Sequence, residues 1–479
     1  MSDLTQFEQV ISSNSIYQQY EARWRFLLES YEGGETYRKG KHLTRYQLET
    51  DAEYQARLQA TPLDNQCKGI ISTYISFLFR DEVERDFGSI ANLPELADFL
   101  DDADLDNRDL DSFMKEVAIW SNVFGHAWVI VSKPNIGAVT KADEIAANVR
   151  PYVSLITPLT VIDWNWTRTP SGRYELDFLK YVEEINGNIQ VIKAWTKDLI
   201  TTSEVDLHEK VIRAQFNEVN QLGKIPAVIA YNQRGHIRGI GTSAINDIAD
   251  QQRYIYNVQS EIEQSMRMDS HPSLVKTPDT QAGIGPGSII LMPDNMDPNL
   301  KPYVLEFAGG NITNFHASIE HSVAAIERIA NIGSVRATVS TKLSGVAMET
   351  EFTLLNSKLA EMADNLELAE EMIWRLFCEY QAQPFDVEVD YPDSFAIHDK
   401  SREITDLQTL STCGSTDPRV LAGITASILD LLELDTDELA TITDPELLNP
   451  ESVQEPGELP PDEMPVMMAK STSGNTPAA

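Results

Sequence analysis

Basic residues are scarce in this chain. It has 38 Lys and Arg against 74 Asp and Glu, a formal net charge of -36. Such an excess opposes non-specific adhesion to nucleic acid or to anionic membranes. It still permits a surface that DNA passes without sticking. Cysteine is equally sparse. Cys67, Cys378 and Cys413 are far apart and odd in number. That is neither a disulfide framework nor a metal-knuckle spacing, and it suits a reducing compartment. No apolar run approaches the roughly 20 residues needed to span a bilayer. The opening "MSDLTQFEQV" has neither the basic nor the apolar region of a secretory signal. A cytosolic chain with no membrane partner is expected. The 42% hydrophobic and 23% charged fractions are those of a globular protein. The length of 479 residues allows roughly two to four domain-sized units.

Familiar catalytic signatures are missing too. There is no Gly-x-Ser-x-Gly elbow, no His-Glu-x-x-His and no zinc-spaced Cys/His set. "GIGPGS" at Gly283 to Ser288 lacks the Lys that follows a phosphate-cradling loop, and strand-like sequence follows it, so it reads as a turn. His316 and His321 are five apart and diverge on a helix. The densest acidic run, "DDADLDNRDLDSF", holds Asp102, Asp104, Asp106, Asp109 and Asp111. A calcium loop of the EF-hand kind needs Gly at its sixth position and Glu at its twelfth. Counted from Asp102, those positions are Asn107 and Phe113. A solvated loop whose last Asp residues cap a helix from about Leu110 to Asn122 fits better. No cofactor and no metal are expected.

What is present is a change of period along the chain. The first eighty residues read as helices, broken at Gly33-Gly34. "TPLDNQCKGIISTYISFLF" sets Leu63, Cys67, Ile70, Ile71, Tyr74, Ile75, Leu78 and Phe79 at helical spacing. From Ala127 the period becomes that of strands: "AWVIVSKP", "YVSLITPLTVIDWNW", "YELDFLKYVEE" and "IQVIKAWTK". Asn186-Gly187 marks a hairpin between two of them. "LGKIPAVIAYNQ" ends this region.

Helix returns at Ser243, with Ile245, Ile248, Ile255, Ile262 and Met266 on one stripe, and His271-Pro272 stops it. A stretch rich in Pro and Gly, with short strands such as "SIILM" and "YVLEF", runs to Gly310. A second helix carries Ile312, Phe315, Ile319, Val323, Ile326 and Ala330 on one face, with Gly333 as its expected cap. "FDVEVDYP" is a short strand-like piece, and helical sequence follows it. The tail from Asp444 is rich in Pro, Glu, Ser and Met, with Lys470 its only base, and is expected to be mostly disordered.

The longest element is "LSGVAMETEFTLLNSKLAEMADNLELAEEMIWRLFCEY". After Gly345 it has neither proline nor glycine. Met348, Phe352, Leu355, Leu359, Met362, Leu366, Ala369, Ile373 and Leu376 alternate steps of four and three, a heptad-like seam. At 1.5 Å per residue it spans on the order of 50 Å. Read alone, it is a coiled coil or a long core helix.

The order of these parts resembles the central region of tailed-bacteriophage portal proteins: a helix, a small irregular module, a second helix, a short loop holding Arg336, Lys342 and Ser344-Gly345, then a very long helix. "SNVFGHAWVIVSKPN", "YVSLITPLTVIDWNW" and "LGKIPAVIAYNQRG" resemble the portal wing. "YEARWRFLLESYEGGETYRKGKHL" and "EYQARLQATPLDNQ" resemble the N-terminal helices of portals. The resemblance runs from Tyr17 to Leu439. A shorter clip and crown set this chain apart from a full-size portal.

The resemblance implies an α+β fold, mostly helical, with a β-rich wing insertion, two stem helices flanking a small α/β clip, and one long wing helix. It divides the chain into an N-terminal helical part of the wing (1–126), the β-rich wing (127–240), stem helix one (241–269), the clip (270–310) and stem helix two (311–333). A tunnel loop (334–346), the long helix and strand (347–400), a helical crown (401–443) and the acidic tail (444–479) complete it. It implies a non-enzymatic subunit of a homo-oligomeric ring, commonly of twelve, at a virion's capsid vertex, assembled in the host bacterial cytoplasm. Double-stranded DNA would pass through the ring during packaging and ejection.

Arg336, Lys342 and Ser344 would face the DNA, with Gly333 and Gly345 as hinges. Asp279, Asp294, Asp297 and Lys301 would lie on the clip surface that meets partners. Those partners are the terminase large subunit, a head-completion adaptor, and the major capsid and scaffolding proteins. Another phage scaffolding or connector protein is the alternative. A metal-dependent hydrolase built on Asp102 to Asp111 is a second.

Overall fold

The computed structural model describes residues 5–135, 144, 147–270, 273–277, 281–282, 290–291, 297, 302–305, 311–333 and 345–395. The chain divides into two compact units, Met1–Ala396 and Ile397–Ala479. The second, with the expected crown and tail, lies outside the described residues.

The N-terminal helices, all but the third, begin where a side chain satisfies a free N–H group. They are α1 (Gln6–Ile11), α2 (Ser15–Glu32), α3 (Gly34–Lys39), α4 (Asp51–Ala60) and α5 (Gln66–Leu78). Thr5 with Glu8 and Thr50 with Glu53 form capping boxes at α1 and α4. Asn14 and Asn65 cap α2 and α5. Leu63 and Phe79, expected on α5, flank it instead: Asn65 starts the helix by accepting from the Lys68 N–H.

Strand β1 (Glu84–Asp86), α6 (Pro94–Asp101) and α7 (Leu110–Phe124) follow. Asp109 accepts from the Ser112 N–H at 2.6 Å to open α7, and Gly125 closes it at φ 94.

The β region contains two sheets. β2 (His126–Ser132) and β3 (Tyr152–Ile156) lead into a five-stranded antiparallel meander. Its strands are β4 (Val161–Arg168), β5 (Tyr174–Asn186), β6 (Ile189–Thr196), β7 (Leu199–Asp206) and β8 (Val211–Val219), paired in chain order. β9 (Ala227–Tyr231) then returns to β2, giving a second sheet of order β3-β2-β9. As its central strand, β2 is buried almost throughout, which explains its continuous apolar run.

The β5–β6 turn is Gly187-Asn188 rather than Asn186-Gly187. Asn186 pairs with Ile189 in the ladder, and only Gly187 of the two turn residues takes positive φ, at 64. That is the two-residue geometry with Gly in its first position. The meander's β4 edge is covered, because the Asn14 N–H donates to the Ile162 carbonyl and Asn14 Nδ2 to that of Trp164.

Helix α8 (Asn246–Ser270) starts three residues later than the sequence pattern predicts. Ser243 is buried before it, and its hydroxyl accepts the Ile245 N–H and donates to the Val123 carbonyl. Of the expected stripe, Ile245, Ile248, Ile255 and Ile262 are buried, whereas Met266 is 45% exposed near the helix end. Among the described residues between α8 and the next helix are two antiparallel ladders. They are β10 (Ser273–Val275) with β13 (Tyr303–Leu305), and β11 (Gln281–Ala282) with β12 (Ile290–Leu291).

Helix α9 (Asn311–Ala330) packs along α8, and Tyr254 Oη and Ser318 Oγ lie 2.8 Å apart between them. Its C-terminal left-handed residue is Asn331, at φ 57, and not Gly333. Asn tolerates that conformation, so no glycine is needed there.

Helix α10 (Gly345–Tyr380) is 36 residues long. Gly345 is its first residue, not a break before it. Leu355, Leu359, Met362, Leu366, Ala369, Ile373 and Leu376 are buried, and so are Ala363, Trp374, Phe377 and Cys378. The buried face is therefore broader than a two-position seam. It packs on β9, β2, α5 and α7 and on the final strand β14 (Glu388–Asp390), which pairs with β1. A free-standing coiled coil is excluded for this helix, because its apolar face is covered by its own chain. Each fully buried Leu or Ile there stabilises the fold by about 2 kcal/mol.

Near the far end, Trp374 packs against Phe87, Phe99 and Phe377. Buried Glu370 accepts from Arg85 Nε at 2.6 Å, Tyr391 Oη at 2.7 Å and Trp374 Nε1 at 3.1 Å. Cys67 and Cys378 are buried free thiols. Among the described residues no helix is long and apolar enough to cross a membrane.

Candidate functional site

The candidate site is the junction where α9 ends and α10 begins, because it bounds the segment expected to meet DNA. Arg336, Lys342 and Ser344 lie outside the described residues, as do Asp279, Asp294 and Lys301. Asp297 is described only as an isolated position with a partner. The two glycines are described, and they differ in kind. Gly345 opens α10. Gly333 faces Glu351: a Cβ added there would lie 2.9 Å from Glu351 Oε2, the far end of a flexible side chain that can shift. That oxygen is buried and has no hydrogen-bond partner among the described residues.

The last carbonyl of α9, on Ala330, accepts from Tyr74 Oη of α5 at 2.6 Å. Tyr74 Oη in turn accepts from Lys358 Nζ of α10 at 2.8 Å, and the ammonium lies 4.7 Å from the Tyr74 ring centroid. One phenol thus joins three helices where the chain leaves α9. Burial lowers the Lys358 ammonium to about 8, and the charge of Glu361 opposes this only in part. Above the junction is a polar groove of about 350 Å³ lined by Asn232, Gln233, Asn331, Ser357, Lys358 and Glu361.

Nothing in the sequence marks Tyr74, Lys358 or Glu351 as part of this junction. Tyr74 looks like an ordinary member of an apolar helical stripe. Lys358 lies off the heptad-like seam, and nothing in the pattern marks either as a partner of residue 330.

The β wing joins the helices through a close backbone crossing. A Cβ on Gly241 would land on the Gly125 carbonyl, and one on Gly125 would meet the Gly241 carbonyl. His126 Nδ1 accepts from the Gly241 N–H at 3.3 Å. Full burial lowers His126 to about 3 and keeps it neutral.

Four of the five aspartates named between Asp102 and Asp111 are committed elsewhere. Asp102 pairs with Arg150 at 3.0 Å, Asp104 with Arg108 at 2.6 Å and Asp111 with Arg85 at 2.8 Å, while Asp109 caps α7. Their carboxylates are turned to cations and N–H groups rather than converging on one point. Among the described residues no group of three or more His, Cys, Asp or Glu side chains is placed to hold a metal ion. His316 and His321 stand exposed on α9.

No family model matches the chain, and no curated protein matches it. Among solved structures it is similar to a chain in the neck of an empty gene transfer agent particle, computed with C6 symmetry. That likeness has TM-score 0.44 and 9% identity, and covers 82% of this chain and 99% of the other. It is also similar to a chain in the virion of a native gene transfer agent particle. There the TM-score is 0.41 and the identity 10%, over 74% of this chain and 89% of the other. At such values nothing about this chain's role follows from them.

Proposed function

We propose that the chain is a portal-type subunit, which assembles with copies of itself into a ring that conducts double-stranded DNA. The observation that carries this reading is the order of elements. α8 and α9 are packed together, with short β ladders among the residues between them, and α10 follows after only a brief connection. At 1.5 Å per residue, α8, α9 and α10 are about 37, 30 and 54 Å long. Those are lengths for a tube wall and a spoke.

The charge suits a conduit. An acidic wall repels phosphates and prevents static binding. Arg336 and Lys342 are the only charged residues between Ser334 and Ser344, and repeated around a ring they form two basic bands that touch the DNA backbone in passing. The Tyr74–Lys358 junction holds the chain where that segment begins. The segment between α8 and α9 is the surface for the terminase large subunit and the head-completion adaptor, with capsid and scaffolding proteins contacting the wing. The subunit itself performs no chemistry.

The test is a particle-assembly system supplied with Arg336→Ala/Lys342→Ala. Assembled particles should form with reduced DNA content. Normal packaging by the double variant would refute the DNA contact.

A further inference from the structure

Four arginines stand together without a carboxylate partner, in a chain where acids outnumber bases 74 to 38. Arg168 ends β4, Arg173 sits in the turn to β5, and Arg234 and Arg238 belong to the segment after β9. All four are exposed, and none forms an ion pair among the described residues.

Aromatic rings hold three of them. Arg238 lies 3.9 Å from the ring centroid of Tyr174 and 5.8 Å from that of Trp166. Arg168 lies 5.7 Å from Tyr174, and Arg234 lies 5.3 Å from Tyr231. The loop that carries Arg234 and Arg238 is closed on itself. The Gly235 N–H donates to the Ile240 carbonyl at 3.0 Å, and the Gly239 N–H to Tyr231 Oη at 3.2 Å. Beside them, Trp166 Nε1 is buried with no acceptor among the described residues.

A guanidinium laid on a ring keeps its N–H edge free for a paired contact with a carboxylate or phosphate. The rings themselves are covered by these cations and are not free to stack on bases, which single-strand nucleic-acid platforms require. Duplex DNA must also approach against a net charge of -36. The face therefore fits carboxylates better than nucleic acid.

This chain has a matching group of its own. Asp364, Glu367 and Glu371 of α10 and Asp390 of β14 carry no ion pair among the described residues. Glu367 Oε2 accepts the Tyr391 N–H at 3.3 Å, beside Asp390. Burial raises the Glu367 carboxyl, that N–H opposes the rise, and the charges of Asp390, Glu371 and Asp364 add to it. These acids repel one another until a cation arrives.

We propose that the arginine face of one copy docks on the Asp364, Glu367, Glu371 and Asp390 face of the next copy. Each copy then offers its arginine face to one neighbour and its acidic face to another, a head-to-tail arrangement of the kind that closes rings. The inference rests on the ring reading for the presence of neighbours. It adds which surfaces meet.

The test uses the full chain in two charge-reversed forms, Arg234→Glu/Arg238→Glu and Asp364→Lys/Glu371→Lys, with mass photometry across a concentration series. Thermal melting of each form checks that it folds. Arg234→Gln/Arg238→Gln serves as a milder variant should the reversal unfold the chain. Each reversed form alone should self-associate about a hundredfold more weakly than the natural chain. An equal mixture of the two should recover assembly, because every face then meets its opposite.

Assembly of either folded reversed form at natural strength overturns the proposal, as does a mixture that fails to recover. Loss of binding to a 20-base-pair duplex, with assembly intact, assigns the face to nucleic acid and also overturns it. If the natural chain forms rings that the variants leave unchanged, only this inference fails. If the natural chain stays monomeric throughout, the ring reading fails with it.

Discussion

Lys358 Nζ donates to Tyr74 Oη at 2.8 Å across 284 positions of sequence, and that phenol donates to the final carbonyl of α9. This relay ties the exit of α9 to the flank of α10. Tyr74→Phe removes the hydroxyl and strands both partners. Losing buried hydrogen bonds of this kind costs about 1–3 kcal/mol. Urea denaturation should show the loss as a lower midpoint, and an unchanged midpoint would show that the relay adds no stability.

The same lysine makes a pH prediction. Its folded-state value, about 8, lies below the ordinary 10.5. Between these values the unfolded chain holds a proton that the folded chain has released, so this group's contribution to stability rises with pH across that window. Below about 8 both states are protonated and the burial cost is fully present. Lys358→Met removes the effect. The stability of the natural chain relative to the variant should therefore increase from pH 8 to pH 10, and a constant difference would contradict it.

The crossing of Gly125 and Gly241 leaves no room for a methyl group on either residue, and Gly125 is also at φ 94. Gly125→Ala adds backbone strain to a steric clash and should destabilise by about 2–4 kcal/mol. Thermal unfolding measures it. A shift of less than a degree would mean that the 232–243 segment can move aside freely.

Arg85 and Glu370 form a pair in which the carboxylate is fully buried. Arg85→Met leaves that carboxylate without its cation, at a cost of about 3–5 kcal/mol. Arg85→Met with Glu370→Gln should recover much of the loss, since no buried charge then remains. Equal stability of the single and double variants would show that the charge of Glu370 was already compensated by Tyr391 and Trp374.

The helices were the most legible part of the sequence. α10 announces itself through the spacing of Leu355, Leu359, Met362, Leu366 and Ile373, and α7 through Asp109 and Gly125 at its ends. Local chemistry decides these features, so local sequence records them. β7 and β8 were harder to see. β8 is nearly all exposed, and its alternation is short, limited to Ile212, Ala214 and Phe216.

The candidate site was less legible still. Gly333 has the spacing of a helix cap, but the left-handed cap is Asn331, and Glu351, distant in sequence, comes to lie beside Gly333 only through the tertiary fold. The Tyr74–Lys358 relay and the arginine face combine residues from distant stretches. No spacing rule connects Trp166, Tyr174 and Arg238.

The most direct test of the central claim is electron microscopy of the purified chain and of particles that contain it. The portal reading predicts rings with a central opening of at least roughly 20 Å, wide enough for a duplex in the B-form dimensions of its grooves and backbone, located at one vertex of the particle. A chain that stays monomeric under every condition, with no ring and no vertex location, would contradict it.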